Sequence, residues 1–236
     1  MRDTPLGWAA MSGYEGVVKI LLNRDNIDPN KPNAYGQTPL WLAGFCGHGG
    51  VVKMLLERGD VDPNKASGDG QTPLLRATCS GHEEIVKLFL RRGDINPDKP
   101  NDGGQTPLWQ AASYGHEGVV KLLLARGNVN PEKPDVYGQT PLHQAAYHGH
   151  EGVVKLLLAR DEVNPDKPNR LGETPLWWAA HNGHEGVVRL LLERGEVSLD
   201  KPGQYGQTPI SCAAVRGHAR VVALLQPPTS ATHRTI

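Results

Sequence analysis

The sequence lacks the features that commonly mark enzymes, membrane proteins and nucleic-acid-binding proteins. Its 25 Lys and Arg residues are balanced by 25 Asp and Glu residues, so the overall charge gives no support for nucleic-acid binding. No run of 18 apolar residues occurs, which predicts that no segment spans a membrane. The GxxxxGK[ST], HExxH and GxSxG motifs are all absent. These absences favour a non-enzymatic protein without a cofactor or a metal.

Cysteine is scarce as well. Cys46, Cys79 and Cys212 cannot all pair with one another, and none lies in a CxxC motif. They fall at different places in the chain's period, with no nucleophile geometry evident around them, so we interpret them as small packing or surface residues. Such cysteine usage is typical of a reducing compartment, and we expect a cytoplasmic protein. Met1-Arg2-Asp3 leads directly into repeat sequence and does not resemble a signal peptide.

What the sequence does contain is one motif at a fixed period. A Thr-Pro pair recurs seven times at a spacing of 34 residues; six copies have Gly two residues before the Thr, and six have Leu after the Pro. A fixed period in this range predicts a repeat array, here one domain over residues 1-236. The Thr-Pro pairs begin at Thr4, Thr38, Thr72, Thr106, Thr140, Thr174 and Thr208. The repeats run approximately over 1-32, 33-66, 67-100, 101-134, 135-168, 169-202 and 203-236.

The sequence of each repeat predicts two short helices and a turn. In the fourth repeat, residues 101–104 form a turn cluster, Thr106 can cap a helix, and Pro107 suits its first position. Gly115 can end this helix, and the apolar residues 119–124 predict a second one. Helices this short are marginal alone, so each repeat must be stabilised by its neighbours. The fold class is therefore an all-α repeat solenoid.

The 34-residue period is shared by more than one repeat family, and the motif decides between them. About ten turn-forming residues separate the units, and the W-x2-L-G-x2-Y pattern of tetratricopeptide repeats is absent. Residues 138–150, GQTPLHQAAYHGH, match every fixed position in the first half of the ankyrin motif, which the whole chain resembles. One extra residue falls in the proline-containing connector, as at residues 62–65. The resemblance implies a helix-turn-helix stack with hairpin-like finger loops, in which fingers and first helices line a concave face.

Most of the ten histidines have a structural interpretation. Six recur at the period, and in the resembled family this histidine ties adjacent loops by hydrogen bonds. Neighbouring copies would lie roughly 10 Å apart, whereas zinc ligands need bonds of about 2 Å, so we expect no metal site. His143 also occupies a motif position. His148 and His181 occupy variable positions, which makes them candidate contact residues. The six recurring histidines are His48, His82, His116, His150, His184 and His218.

Aromatic residues are concentrated where the resembled family contacts its partners. Of the thirteen, eleven lie in a finger or a first helix, and aromatic residues are favoured at interface hot spots. Trp8 and Trp178 occupy a position expected to pack between repeats. Trp41, Trp109 and Trp177 replace a motif histidine, and the sequence leaves packing and partner contact equally open for them. The candidate partner-binding residues are Tyr35, Trp109, Tyr114, Tyr137, Tyr147, His148, Arg170, Trp177, His181 and Tyr205.

Charged residues recur at the period too, and we interpret them as structural. Acid-first i,i+4 pairs on the second helices would each stabilise a helix by roughly 0.2–0.5 kcal/mol. A row of lysines could form a basic stripe, but acidic residues directly precede four of its members. The predicted pairs are Glu83–Lys87, Glu117–Lys121, Glu151–Lys155 and Glu185–Arg189. The lysine row is Lys31, Lys65, Lys99, Lys133, Lys167 and Lys201.

Two classes of function remain open. The first is non-catalytic recognition of a protein partner by a monomer, through the concave face of repeats four to six. The alternative is a structural spacer or a sensor region of a larger multidomain protein. The ends bear on this choice, because Tyr14 replaces the motif histidine in repeat one and residues 226–232 depart from the repeat pattern. The chain is therefore excised from a longer array, or its tail folds back over the last repeat, or an oligomer packs through that end.

Overall fold

The computed structural model describes residues 4–226, and within that range the chain forms helices joined by turns, without a strand. Residues 1–3, interpreted as the start of repeat one, and residues 227–236, which contain most of the predicted tail, lie outside the described residues. Each repeat contributes a first and a second helix, as the periodic motif predicts. The fourteen helices of residues 4–226 are α1 Pro5–Met11, α2 Glu15–Leu22, α3 Pro39–Cys46, α4 Gly49–Leu56, α5 Pro73–Cys79, α6 Glu83–Leu90, α7 Pro107–Tyr114, α8 Glu117–Leu124, α9 Pro141–His148, α10 Glu151–Leu158, α11 Pro175–Asn182, α12 Glu185–Arg194, α13 Pro209–Val215 and α14 Ala219–Leu225.

The Thr-Pro pair begins every first helix. The hydroxyl of Thr72 accepts a hydrogen bond from the backbone N–H of Leu75 at 3.1 Å, and Pro73 occupies the first helical position. This arrangement satisfies one of the N–H groups that a helix start leaves without an intrahelical partner. Thr140 differs, because its backbone N–H and its hydroxyl both donate to Nδ1 of His143, at 3.1 and 2.8 Å. The predicted role of the motif as a cap and a start signal is confirmed.

Glycines end the first helices and close the fingers. Gly115 has a φ of 74° and ends α7 in the left-handed conformation, as the sequence predicts. In the finger of repeat two, the Asn33 N–H donates to the Gln37 carbonyl at 3.0 Å, which closes a hairpin-like turn. Gly36, at φ 78°, lies so close to the next finger that a Cβ would be 2.6 Å from the Gly68 nitrogen. Glycine is therefore required at that position.

The chain divides into two compact units, Met1–Val136 and Tyr137–Ile236. The first unit contains α1 to α8 and the second contains α9 to α14. Within each unit, a first helix packs on the neighbouring first helix and a second helix on the neighbouring second helix. Leucine and alanine of the first helices and valine and leucine of the second helices form the buried core. That the chain is a single array stays a prediction.

The periodic histidine connects neighbouring repeats, as the resemblance implies. Its ring Nε2 lies within hydrogen-bond distance of a carbonyl oxygen at the end of the preceding first helix. Each bond joins the start of a second helix to the end of the first helix of the preceding repeat, so it fixes the distance between repeats. The pairs are His48 with Met11 at 2.9 Å, His82 with Phe45 at 3.1 Å, His116 with Cys79 at 3.2 Å, His184 with Tyr147 at 2.9 Å and His218 with His181 at 3.1 Å.

The lysine row also joins neighbouring repeats. Lys65 Nζ donates to the carbonyl of Asn30 at 3.1 Å, which lies one repeat earlier. Lys133 Nζ donates to the carbonyl of Asp98 at 2.8 Å and to its carboxylate at 3.1 Å. Lysines held in this way do not form a free basic stripe, and the neutralising acid belongs to the preceding repeat as well as to the adjacent residue.

The predicted acid-first i,i+4 pairs of the second helices are wrong. None of the four forms an ion pair within residues 4–226, and Lys87 pairs with Glu84 at 2.5 Å. The carboxylate of Glu83 points instead towards the next second helix, where a Cβ on Gly118 would lie 1.8 Å from Oε1. Glycine at that position leaves room for the glutamate. This contact joins two repeats, so it cannot be predicted from residue spacing within one helix.

We expect Thr72→Ala to lower the free energy of unfolding by about 1 kcal/mol, because it removes the buried cap of α5. Thr72→Ser keeps the hydroxyl and should cost less. Urea unfolding of the three proteins, followed by circular dichroism, measures both changes. Equal stability of Thr72→Ala and Thr72→Ser would contradict the capping role.

Candidate partner-binding surface

The candidate contact residues are distributed over both units, on fingers and first helices. Tyr35, Trp109 and Tyr114 belong to the first unit, and the other seven belong to the second. Their exposure differs widely, and it separates packing residues from residues available to a partner. In the second unit these are Tyr137, Tyr147, His148, Arg170, Trp177, His181 and Tyr205.

Trp109 and Trp177 are buried, with only 7% and 6% of their surface exposed. The indole Nε1–H of Trp177 donates to the carbonyl of Gln207 at 2.8 Å, and that of Trp41 donates to the carbonyl of Gln71 at 3.1 Å. Each ring therefore connects its repeat to the start of the next one. This burial corrects the assignment of Trp109 and Trp177 to the contact surface, and the question that the sequence left open is resolved in favour of packing.

His143 has the same function as these tryptophans. Its Nδ1 accepts from the Thr140 backbone, so Nε2 carries the proton and donates to the carbonyl of Glu173 at 3.2 Å. Burial lowers the pKa of His143 to about 4, and the Glu173 hydrogen bond only partly opposes this. The imidazole is therefore neutral at physiological pH, and a tryptophan can replace it because both rings present one N–H at this place.

An aromatic cluster lies on the first helices of repeats five and six. The ring of Trp178 lies edge-on to Tyr147 at 5.1 Å and to Trp177 at 4.9 Å, measured between centroids. Tyr147 contacts His148 at 4.6 Å, and Trp177 stacks on His181 at 4.8 Å. Tyr147 is 40% exposed and Trp178 is half-buried. The cluster combines rigid aromatic rings with accessible surface.

The two histidines of this cluster are neutral at physiological pH. Burial lowers the pKa of His148, and the nearby His150 and His184 lower it further. Burial also lowers the pKa of His181, and Arg216 adds to the effect. Neutral imidazoles extend the apolar surface of the aromatic cluster.

The structure brings His181 and Cys212 together, which the sequence did not indicate. His181 Nε2 accepts from Arg216 at 2.6 Å, so the ring proton is on Nδ1, which lies 3.0 Å from Cys212 Sγ. Cys212 is buried, and burial raises the pKa of its thiol. A covered, protonated thiol is not an activated nucleophile. The pair therefore supports the position of His181 at the edge of the aromatic cluster.

The finger tips carry the most exposed aromatic side chains. Tyr137 is 68% exposed, and its backbone carbonyl accepts from the Arg170 N–H of the next finger at 3.0 Å. Tyr205 and Arg170 are exposed in the second unit, as are Tyr35 and Tyr114 in the first. Hydrogen bonds between fingers fix the backbone at Tyr35, Tyr137 and Arg170, so these three side chains project from a defined support.

The predicted packing between repeats is wrong for the exposed Trp8, whereas Trp178 does contact Tyr147 of the preceding repeat. Trp8 is 50% exposed and contacts Tyr14 at 5.3 Å, and Trp178 lies at the centre of the aromatic cluster. Trp178 Nε1 is covered and has no acceptor among the described residues. The sequence contains an indication that this position is not fixed by the core, because residue types vary widely among the seven equivalent positions of the repeats. These positions are Trp8, Leu42, Arg76, Gln110, Gln144, Trp178 and Cys212.

Comparison with protein families supports the same architecture. The family described as ankyrin repeats, in three copies, matches residues 1–67, 59–135, 96–169 and 160–234. The chain belongs to the ankyrin-repeat family. Ankyrin repeat domains are in general protein–protein interaction modules, and the family is generally non-enzymatic.

Solved ankyrin repeat domains resemble the chain over almost its whole length. The ankyrin repeat domain of Bcl-3, described as a unique member of the IkappaB protein family, is 27% identical with a TM-score of 0.80, over 95% of this chain and 99% of that one. The human ASB11 ankyrin repeat domain is also 27% identical with a TM-score of 0.80, over 97% of this chain and 100% of that one. Comparison with curated protein sequences gives no match.

Two features are absent from the described residues. Among residues 4–226, no helix has the length and apolar character needed to cross a membrane. In the same part of the chain, no group of three or more His, Cys, Asp or Glu side chains is arranged to hold a metal ion.

We expect Trp177→Phe to lower the free energy of unfolding by about 1 kcal/mol, because it removes the N–H bonded to Gln207. Trp178→Phe is the matched control, since it removes an indole N–H that has no acceptor, and it should cost less. Denaturant unfolding monitored by far-ultraviolet circular dichroism measures both. A larger loss for Trp178→Phe would contradict the assigned roles of the two rings.

The lowered pKa of His143 predicts that stability falls between pH 6.5 and pH 4. In that window the imidazole binds a proton in the unfolded state but not in the folded state. Protonation therefore lowers the free energy of unfolding by up to about 3 kcal/mol at pH 4. His143→Trp, which uses the residue found in three other repeats, should make this dependence shallower. Urea unfolding at pH 4, 5, 6 and 7 tests it, and identical pH profiles would contradict the account.

Proposed function

We propose that the chain recognises a protein partner without catalysis, and that the fingers and first helices of the second unit form the contact surface. The observation that carries this proposal is the aromatic cluster of Tyr147, His148, Trp178 and His181, which is rigid and partly exposed. Tyr137 on the neighbouring finger, with Arg170 and Tyr205, extends the surface. Trp177 lies beneath this surface and is buried, so Trp178 takes its place among the proposed contact residues.

The physical support lies in the low cost of ordering this surface. The side chains of Tyr147 and Trp178 are held by ring contacts at 5.1 Å, so little conformational entropy remains to be lost on binding. Aromatic residues of this kind dominate interface hot spots, and arginine is common beside them. The exposed Leu171 and Tyr137 supply apolar area at the finger tips. A partner segment with apolar side chains matches such a surface.

The proposal favours a protein partner over a nucleic acid. Within the finger and first-helix portions of repeats five and six, residues 135–149 and 169–183, Arg170 is the only Lys or Arg. A nucleic acid backbone normally binds several cations, and Lys65, Lys133 and Lys201 of the lysine row are already engaged in hydrogen bonds. We propose also that the protein acts as a monomer in a reducing, cytoplasmic environment, consistent with three free cysteines.

We expect Tyr147→Ala and Trp178→Ala each to weaken partner binding by at least about 1–2 kcal/mol, roughly 5- to 30-fold in Kd. The partner is first isolated by affinity capture from the source organism with the whole chain, and its affinity is then measured by titration calorimetry. Tyr137→Ala should have an effect in the same direction, since it removes the most accessible aromatic side chain of repeat five.

The matched control is Tyr14→Ala, which removes a 50% exposed tyrosine at the start of a second helix in the first unit. It should leave the affinity unchanged. Thermal unfolding of every variant separates loss of contact from loss of fold. Equal affinities for Tyr147→Ala, Trp178→Ala and Tyr14→Ala would overturn the proposed surface, and failure to capture any specific partner would overturn the recognition function.

A further inference from the structure

The first unit contains an arginine held on two aromatic rings. The guanidinium carbon of Arg76 on α5 lies 4.3 Å from the ring centroid of Phe45 and 5.5 Å from that of Trp41, both on α3. The two rings contact each other with centroids 5.7 Å apart. Such cation–π contacts hold a guanidinium in a fixed orientation. Arg76 is therefore pre-organised, unlike a freely moving surface arginine.

The charge of Arg76 is not neutralised within the described residues. No carboxylate of residues 4–226 forms an ion pair with it, and its covered Nε has no hydrogen-bond partner. Arg58 and Arg92 of the same unit contrast with it, because each is paired with an aspartate two residues later, at 2.6 and 2.5 Å. Arg58 and Arg92 are thus neutralised by their own aspartates, and Arg76 is not.

The adjacent cysteine does not supply the missing negative charge. Cys79 lies against Arg76, but burial raises the pKa of its thiol to about 11, and the nearby guanidinium only partly opposes that effect. The thiol therefore stays protonated at neutral pH. Partial burial of an unpaired cation costs free energy, because the cation loses water and gains no counterion. The position is therefore suited to an anion from outside the chain.

The surroundings of Arg76 favour one carboxylate over a phosphate. Among the finger and first-helix residues of repeats two to four, at 33–46, 67–80 and 101–115, Arg76 is the only Lys or Arg. The fingers there contribute Asp69 and Asp102, and Asp69 is held by Ser67 and Gln71 at 2.5 Å each. A phosphate is normally held by several donors and cations, whereas one planar guanidinium matches one carboxylate edge to edge.

We propose that Arg76, stacked on Phe45 and Trp41, is a binding site for a glutamate or aspartate side chain of an acidic peptide segment. Phe45 and Trp41 lie on one side of the guanidinium, so its N–H groups remain the part that meets the carboxylate. Phe45 and Trp41 would also contact the aliphatic part of the same segment. This site is in the first unit and does not depend on the surface proposed for the second.

The test uses the full chain and a defined probe, the peptide acetyl-hexaglutamate amide, with acetyl-hexaglutamine amide as its uncharged match. Binding is followed by NMR at low ionic strength, through the indole N–H of Trp41 and the Nε–H of Arg76. We expect the glutamate peptide to shift both signals, and Arg76→Gln to weaken its binding by about tenfold. Lys53→Gln removes the same charge from an exposed second-helix site and should change the affinity less than twofold.

Arg76→Lys separates charge from geometry, since it keeps the charge and loses the planar fork. Arg76→Lys should bind the glutamate peptide more weakly than the unmodified chain, at an unchanged melting temperature. If Arg76→Gln does not fold, the affinity of Arg76→Lys is the test of the site. The site is overturned if the glutamate peptide does not bind, if Lys53→Gln weakens binding as much as Arg76→Gln, or if the glutamine peptide binds equally. Tighter binding of a phosphoserine peptide or of inorganic phosphate would overturn the assignment to a carboxylate.

Discussion

The hydrogen bond from a ring N–H to a backbone carbonyl of the neighbouring repeat is the constraint on which the rest of the structure depends. The periodic histidine, as in His82, makes it towards the preceding repeat, and Trp41, His143 and Trp177 make it towards the following one. Carbonyls that are lost to solvent in the stack need these donors. Since each short helix is marginal alone, the bonds also fix the spacing at which helices stabilise one another.

Residue types vary at the helix position next to these rings, and each of the two proposed binding sites includes a residue at this position. Trp177 is tied to Gln207, whereas the adjacent Trp178 turns towards Tyr147 and the exposed surface. Arg76 occupies the equivalent position in repeat three and lies on the aromatic rings of repeat two. One helical turn thus combines a residue committed to the stack with a residue available to a partner. The second unit has a tryptophan, Trp178, at this position and the first unit has an arginine, Arg76, so the two units present different chemistry there.

The fold could be predicted from the sequence, because the Thr cap, the proline and the helix-ending glycine act locally and recur seven times. The candidate surface could be predicted only in part. Neighbouring residues on a helix point about 100° apart, and both Trp177 and Trp178 suit either an inward or an outward direction by composition. The inward ring is selected by the carbonyl of Gln207, which is 30 residues away in sequence. Glu83 is similar, because Gly118 of the next repeat, and not Lys87 of its own helix, determines where its carboxylate lies.

The most direct test of the account is amide hydrogen exchange of the whole chain, free and bound to its captured partner, resolved to short peptides by mass spectrometry. The account predicts that binding protects the fingers and first helices of the second unit, around residues 136–148 and 170–182, and leaves the second helices α10 and α12 unchanged. Protection confined to α10 and α12, with no change in the fingers, would contradict the central claim that the variable residues beside the fixed stack recognise the partner.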